Sequence, residues 1–179
     1  MKVEIIFSGS GGQGLVLASR ILAKAAVLES MNVLQSQVYG AEARGGATKS
    51  EVIISDRQIF FPRVLVPDIL IAITEEAYKK YGVNLKNYGI MIVDSFMVKS
   101  FKKDNSFKIY ASPFTQIAEE KFNSKILTNM IILGYTTKIL NIVSFESLSK
   151  ALSTIFKGES FEINYEALKT GLHLDVKPL

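Results

Sequence analysis

Short apolar runs recur along the chain, and each has the length of a strand rather than of a helix. A run that is apolar at nearly every position is typical of a strand buried on both faces of a parallel sheet. We predict strands at Val3–Phe7, Asp68–Thr74, Ile90–Val93 and Phe107–Ala111, with one more at Asn32–Gln37.

The segments between these runs have apolar residues at helical spacing, which predicts amphipathic helices. Thr74 is a candidate N-cap, because two acidic residues follow it and suit the first turn of a helix. The other predicted helices are Leu15–Glu29, Pro113–Phe122, Lys125–Leu140, Phe145–Phe156 and Phe161–Leu172. The alternation of strands and helices predicts an α/β fold, with three layers around a mainly parallel, Rossmann-like sheet.

One segment has the alternating pattern of an antiparallel strand. Thr48–Ser55 alternates between two faces, which predicts a half-exposed strand, and Gln58–Phe61 is predicted to return as its hairpin partner. We therefore expect an antiparallel β-hairpin added to the parallel sheet. The pattern predicts a single domain over residues 1–174, followed by a loose tail over 175–179.

The predicted helix Lys125–Leu140 is apolar on nearly every face. Such a helix is either deeply buried or docked against another chain. In a domain of this size we favour a subunit interface, with Gly134 permitting close approach of a neighbouring helix.

Composition narrows the class of protein. With 179 residues, of which 48% are hydrophobic, the chain can bury a sizeable core. No apolar run reaches the length of a membrane span and the start lacks a signal-peptide pattern, so we expect no membrane association and a cytoplasmic location. The net charge of +4 is mild and its lysines are dispersed, so no nucleic-acid partner is expected.

The chain has no cysteine and one histidine, His173. It therefore has no Cys nucleophile, no Cys-ligated zinc and no Cys-held iron–sulfur cluster. A Ser-His-Asp triad or a histidine metal site is not expected either, so we predict no metal site and no catalytic residue. If the protein takes part in redox chemistry, another chain must carry the metal.

A glycine-rich loop, Gly9-Ser10-Gly11-Gly12-Gln13-Gly14, lies between the first predicted strand and helix. This arrangement directs backbone N–H groups and the positive end of a helix dipole towards an anion. The G-x-G-x-x-G spacing is present, yet the second strand ends in Gln35-Ser36-Gln37 and lacks the acidic residue that holds a ribose in nicotinamide-binding folds. The glycines could instead serve a tight turn alone.

A second glycine-containing loop, Tyr39–Gly46, follows the second strand and should lie beside the first loop at the carboxyl edge of the sheet. Arg44 offers a planar fork of donors suited to phosphate or carboxylate, next to Gly45. Arg44 could equally pair with Glu42 and brace the loop. The candidate binding residues are therefore Gly9, Gly11, Gly12, Gln13, Gly14, Arg44 and Gly45.

The two glycine motifs, in this order, resemble those of the gamma subunit of the 2-oxoacid:ferredoxin oxidoreductases. Pro67-Asp68 and Asn129–Gly134 also fit, and the similarity runs from Val3 to about Leu172. Ala41 departs from the pattern, because many members have proline there. The separate, cysteine-free chain is most similar to the 2-oxoglutarate type.

The resemblance implies decarboxylation of a 2-oxoacid, acyl transfer to coenzyme A and electron delivery to ferredoxin or flavodoxin. It also implies that thiamine diphosphate, magnesium and iron–sulfur clusters reside in alpha, beta and ferredoxin-like subunits of the same complex. This chain, inactive alone, would then hold the complex together and form its coenzyme A side, with Arg44 meeting a phosphate and Gln13 adding a side-chain donor. Two alternatives stay open: a stand-alone nucleotide-binding oxidoreductase domain, and a pure scaffold without ligand contact.

Overall fold

The computed structural model describes residues 1–38, 47–101 and 106–179. Within these residues six strands form one sheet in the order β2-β3-β1-β4-β5-β6. Strands β1, β4, β5 and β6 pair in parallel, whereas β3 pairs antiparallel with both of its neighbours. The strands are β1 (Lys2–Gly9), β2 (Asn32–Val38), β3 (Thr48–Ser55), β4 (Ile69–Ala72), β5 (Ile90–Asp94) and β6 (Lys108–Ser112).

Helices cover the two faces of this sheet unequally. One face carries the larger hydrophobic core, which contains residues of α1, α3, α4, α5 and α6, whereas α2 packs on the other face. The helices are α1 (Leu15–Leu28), α2 (Glu75–Tyr81), α3 (Phe114–Phe122), α4 (Thr128–Leu140), α5 (Phe145–Ser153) and α6 (Gly158–His173). The predicted α/β, three-layer class is confirmed. None of the helices in the described ranges has the length and apolar character needed to cross a bilayer.

Local capping fixes where α2 begins. Thr74 has an extended backbone, and its hydroxyl accepts a hydrogen bond from the backbone N–H of Ala77 at 3.2 Å. Glu75 and Glu76 lie in the first turn, where carboxylates interact favourably with the helix dipole. The N-cap predicted at Thr74 is confirmed.

The antiparallel addition to the sheet is confirmed, but the exposure of its strand and the identity of its hairpin partner differ from the prediction. Strand β3 lies between β2 and β1 and is buried from Ser50 to Ser55, so it is not half-exposed. Its polar residues are paired inside the protein: Glu51, 1% exposed, accepts from Lys49 Nζ at 2.6 Å and from Ser36 Oγ at 3.1 Å. Residues 58–61 form no strand, so the antiparallel pairing of β3 is with β1 and β2 only among the described residues.

The interface predicted for the apolar helix is also wrong, because this chain buries the helix itself. In α4 every residue from Thr128 to Thr137 is buried, and α4 packs closely against α6. A Cβ on Gly134 would lie 2.0 Å from the backbone oxygen of Leu168, so glycine permits the close helix approach that we predicted. Within the described residues, four other helices (α1, α3, α5 and α6) contribute to the same core and cover α4.

The last residues of the chain return to the sheet. The backbone N–H of Leu179 donates to the carbonyl of Ile109 at 2.9 Å, and Pro178 forms an antiparallel bridge with Tyr110. The segment expected to be a loose tail therefore lies against β6.

Candidate ligand-binding site at the glycine loop

The glycine loop connects the carboxyl end of β1 to the first turn of α1. Gly9 is the last residue of β1, and Gly14 is the N-cap of α1 with a φ of 71°. Gly12 also has a positive φ, 84°. Backbone conformations of this kind are strained for residues with a side chain, so the turn from strand to helix requires glycine at both positions.

The glycines of the loop fall into two groups by the space around them. A Cβ on Gly9 would lie 2.4 Å from Gln13 Oε1, and a Cβ on Gly14 would lie 2.0 Å from Asn129 Nδ2. Gly11 and Gly12, by contrast, are exposed and have no atom within 4 Å of the position that a Cβ would take. Crowding within the protein therefore accounts for Gly9 and Gly14, whereas the space at Gly11 and Gly12 is open to a ligand.

Gln13 braces the loop. Its Oε1 accepts a hydrogen bond from the backbone N–H of Ser10 at 2.6 Å, across the turn. Its Nε2 makes no hydrogen bond with the residues that the structure describes. The side-chain donor predicted at Gln13 thus has a second role that the sequence did not reveal, as an acceptor inside the loop.

An open cleft of about 440 Å³ lies against the loop. Its walls come from the loop itself, the first two turns of α1, and the adjoining ends of β2 and β3: Ser10, Gly11, Gly12, Gln13, Gly14, Leu15, Val16, Leu17, Arg20, Gln37, Thr48 and Lys49. This volume is within the range of small-molecule sites in proteins. The cleft therefore lies at the N-terminus of α1, where the first backbone N–H groups of a helix have no partner within the helix.

Sequence reasoning missed two cationic residues of this cleft, Arg20 and Lys49. Lys49 pairs with the buried carboxylate of Glu51 at 2.6 Å, whereas Arg20 makes no ion pair within the described ranges. Arg20 follows Val16 and Leu17 by four and three residues, which places all three on one face of α1. That spacing could have placed Arg20 beside the glycine loop from the sequence alone. The position of Lys49 depends on the pairing of β3 with β1, which the sequence did not predict.

The stems of the two glycine loops adjoin each other. Gly9 pairs with Thr48 in the sheet, and the Thr48 hydroxyl donates to the Gly9 carbonyl at 3.3 Å. Gln37, at the end of β2, lines the same cleft. The predicted neighbours Arg44 and Gly45, together with Glu42, lie outside the described residues.

Helix α2 holds the stem from which β3 begins. The backbone N–H of Ala47 donates to Glu76 Oε1 at 3.0 Å, and the Ala47 carbonyl accepts from the Tyr81 hydroxyl at 3.0 Å. Both polar groups of the Ala47 backbone are thereby fixed by one helix. Ala47, which follows the second glycine loop in the sequence, is thus anchored next to the cleft residue Thr48.

A smaller cleft of about 200 Å³ lies on the other side of the glycine loop. It is lined by Gly12, Gln13, Ile73, Met97, Thr115, Lys125, Ile126 and Thr128. Thr115, at the start of α3, donates from its N–H and its hydroxyl to the buried carboxylate of Asp94 at 3.0 and 2.5 Å. Burial raises the pKa of Asp94 despite these hydrogen bonds. The carboxylate caps α3, which gives Asp94 a structural role.

The donor set of the described residues does not suit a metal. They contain no cluster of three or more histidine, aspartate or glutamate side chains with metal-binding geometry. The whole sequence also lacks cysteine.

A glycine loop between a parallel strand and a helix, with a cleft at the carboxyl edge of a mainly parallel sheet, defines an α/β domain of the ligand-binding or partner-binding type. The family model described as pyruvate ferredoxin/flavodoxin oxidoreductase matches residues 4–174, so the chain belongs to that family.

The relatives make the assignment more specific. A 2-oxoglutarate synthase subunit, KorC, from Methanocaldococcus jannaschii is 44% identical, over 94% of this chain and 95% of that subunit. The crystal structure of a keto/oxoacid ferredoxin oxidoreductase gamma subunit from Geobacter sulfurreducens has a TM-score of 0.86 and 37% identity, covering 96% of this chain and 94% of that one. The resemblance to the gamma subunits, most like the 2-oxoglutarate type, is confirmed.

The same fold also occurs within longer chains. The ketoisovalerate oxidoreductase subunit VorA from Methanothermobacter marburgensis is 29% identical, over 95% of this chain but only 36% of that subunit. A 2-oxoglutarate:ferredoxin oxidoreductase from Magnetococcus marinus, solved with 2-oxoglutarate, coenzyme A and succinyl-CoA bound, shares the fold at a TM-score of 0.86 and 24% identity. The match covers 96% of this chain and 30% of that one.

Proposed function

We propose that the chain is a non-catalytic gamma subunit of a thiamine diphosphate-dependent 2-oxoglutarate:ferredoxin oxidoreductase. It would assemble with the catalytic subunits and form the coenzyme A side of the active site through the cleft at the glycine loop. Family membership and identity to a 2-oxoglutarate synthase subunit support the reaction class.

The observation that carries the coenzyme A role is the open space at Gly11 and Gly12, beside Arg20. Coenzyme A presents phosphate and pyrophosphate groups, and exposed amides at a helix N-terminus are suited to bind them. Arg20 can add a charge-assisted, bidentate contact, because no carboxylate in the described residues occupies its guanidinium. The Magnetococcus enzyme that shares this fold has coenzyme A bound, which agrees with such a role.

The chain lacks the usual ligands of the metal cofactors. It has no cysteine to ligate an iron–sulfur cluster, and the described residues contain no group of three or more acidic or histidine side chains that could bind magnesium. We therefore assign thiamine diphosphate, magnesium and iron–sulfur clusters to the alpha, beta and ferredoxin-like subunits, with ferredoxin or flavodoxin as electron acceptor. On this proposal the chain is inactive alone and works in the cytoplasm.

The decisive experiment compares two arginine variants in the assembled complex. Arg20→Ala and Arg44→Ala should each raise the KM for coenzyme A by about tenfold, since a hydrogen bond to a charged group contributes roughly 1.5–3 kcal/mol. The KM for the 2-oxoacid should stay unchanged. Lys24→Ala is the matched control: it removes a positive charge from an exposed position of the same helix that does not line the cleft.

The outcomes separate the proposal from its competitors. Complexes that assemble normally with an unchanged KM for coenzyme A in both arginine variants would refute the ligand role. Loss of assembly in the variants, without a change in KM for any complex recovered, would indicate a pure scaffold.

A stand-alone nucleotide-binding oxidoreductase is the second candidate, favoured by the G-x-G-x-x-G spacing at β1 and α1. The strand order argues against this candidate. In a dinucleotide-binding unit the first two strands are adjacent, whereas here β3 lies between β2 and β1 and places them roughly 9–10 Å apart. Calorimetric titration of the isolated chain with NAD and FAD tests it, and saturable binding would favour this second candidate.

A further inference from the structure

The segment 56–68, which we call the strap, joins β3 to β4 across the face of the sheet that carries α2. Its two ends are fixed by backbone hydrogen bonds: the N–H of Asp56 donates to Met1 O at 3.1 Å, and the N–H of Asp68 donates to Glu4 O at 2.9 Å. In the middle, Val64 is 3% exposed and its N–H donates to the buried Glu51 carboxylate at 3.3 Å. The strap is thus held in one place against the sheet.

Between these anchors the strap directs large apolar side chains into solvent. Phe60 is 86% exposed, Phe61 53%, Leu65 69% and Val66 51%. Apolar surface in water is unfavourable, and exposed patches of this kind mark interaction sites. Adjacent phenylalanines on an anchored segment are a candidate hot spot for a protein partner.

The distribution of helices leaves this face thinly covered. Of the α-helices in the described ranges, five pack on the opposite face, whereas α2, only seven residues long, packs here. An apolar groove of about 440 Å³ lies on the same face, lined by residues that include Tyr78, Val83, Met91 and Phe107. Val83 at its edge is 81% exposed. Among the described residues, the strap and the groove are therefore two exposed apolar features on the same face of the sheet.

Charge identifies the chemistry of the partner. Arg57 and Arg63 are exposed on the strap, and neither makes an ion pair with any described residue. A second copy of this chain related by a two-fold axis would bring like charges onto the same interface, which is unfavourable. A partner with an apolar pocket rimmed by carboxylates would complement both features.

A longer relative supports a larger polypeptide as the occupant of this surface. In VorA the region matched by this chain makes up 36% of the subunit, so there the domain is joined to a larger polypeptide. In the KorC subunit the matched region makes up 95% of the chain, so a subunit of that kind would contact a larger polypeptide through a non-covalent interface.

We propose that the strap, through Phe60, Phe61, Leu65 and Val66, is the docking surface for a larger subunit of the oxidoreductase complex. This inference rests on the proposed function, because it takes the larger subunit as the occupant. Pro62 and Pro67 restrict the strap in the unbound chain, so little conformational entropy is lost when the partner binds. The interface lies on the α2 face and not on α4, where the apolar pattern of the sequence had placed it.

The test is purification of the tagged chain co-expressed with the other subunits. The double variant Phe60→Ser/Phe61→Ser should reduce recovery of the larger subunits at least tenfold, and Arg63→Glu should weaken it further. The matched control is Val27→Ser/Leu28→Ser, which removes two apolar side chains of 58% and 50% exposure at the end of α1 and should leave recovery unchanged. Thermal unfolding of each isolated variant should match the wild type, because the replaced side chains are exposed.

The possible outcomes are distinct. If the wild-type chain recovers no larger subunit, the proposed function itself fails. If wild type and the Phe60/Phe61 variant recover the larger subunits equally, only the strap proposal is overturned. If instead the wild-type chain is a dimer in sedimentation experiments and the variant is a monomer that still assembles, the occupant is a second copy and the proposal is wrong.

Discussion

Asn129, in the first turn of α4, leaves no room for a side chain at Gly14 in the glycine loop. The Asn129 Nδ2 donates to the Gly14 carbonyl at 3.2 Å, and the same nitrogen lies 2.0 Å from the position of a Cβ at Gly14. The buried helix α4 is thereby coupled to the start of α1 across 115 residues of sequence.

Gly14→Ala should therefore destabilise the chain by at least about 2 kcal/mol, from the positive φ and the contact with Asn129 together. Chemical denaturation of the isolated chain measures the effect. Gly11→Ala is the control and should change stability by less than about 0.5 kcal/mol, because surface substitutions without such contacts are usually neutral. Combining Gly14→Ala with Asn129→Ala should recover the contact part of the loss, and equal stability of both single glycine variants would contradict this account.

The packing of α4 on α6 predicts a second effect, on stability alone. A Cβ on Gly134 would lie 2.0 Å from Leu168 O, and one on Gly171 would lie 1.8 Å from Ile131 O. Both atoms are backbone and cannot rotate away, so either alanine variant should force the helices apart and lower the free energy of unfolding by about 1–3 kcal/mol. Gly82→Ala is the control, since its nearest contact is a flexible methionine methyl at 3.4 Å. Normal melting temperatures for both variants would refute the close approach of α4 and α6.

The buried Asp94 predicts a pH dependence. Its pKa is raised by burial above the ordinary value of 3.8, so the folded state binds this proton more tightly than the unfolded state does. Its contribution to the free energy of unfolding is thus largest below pH 3.8 and is lost as pH rises through the folded-state pKa. Other carboxyls with lowered pKa values act in the opposite direction, among them Glu29 and Glu75.

The difference between wild type and Asp94→Asn isolates this contribution. Denaturation from pH 3 to 7 should show the wild type losing stability relative to the variant as pH rises above about 4. The variant should be less stable at acidic pH by about 1–3 kcal/mol. Its amide nitrogen cannot accept the hydrogen bonds that a carboxyl oxygen of Asp94 accepts from Thr115 or Phe96. A stability difference independent of pH would show that Asp94 has the same pKa in both states.

The pair of Lys49 and Glu51 gives a fourth prediction. Glu51 is 1% exposed, and Lys49 Nζ at 2.6 Å is the cation nearest to it within the described residues. Lys49→Met should destabilise the chain by about 3 kcal/mol, because removing one partner leaves a buried charge without compensation. The double variant Lys49→Met/Glu51→Gln should be more stable than the single one, as measured by thermal unfolding. A single variant as stable as the wild type would show that hydrogen bonds from Ser36 and Val64 suffice.

The sequence by itself determined the local elements of this protein. The strands β1, β4, β5 and β6, the N-cap at Thr74 and the glycine turn follow from residues close together in the chain, because capping, turn conformation and apolar periodicity are local effects. The motifs in the two glycine loops also carried the resemblance to the family, since those residues are short-range patterns.

The tertiary structure decided which element covers which. The insertion of β3 between β2 and β1 made Thr48–Ser55 an interior strand. Cover on both faces of the sheet buries it, because Val52 and Ile54 lie in the larger core and Ile53 lies in the smaller one. Burial of α4 depended on α6 supplying glycine at the contact, and the cleft gained Arg20 and Lys49 only when α1 and β3 met beside the loop. An apolar pattern in the sequence predicts that a surface is covered, but it does not identify what covers it. Long-range packing determines whether the cover is another helix of the same chain or a partner. The exposed apolar surface therefore lies on the strap and not on α4.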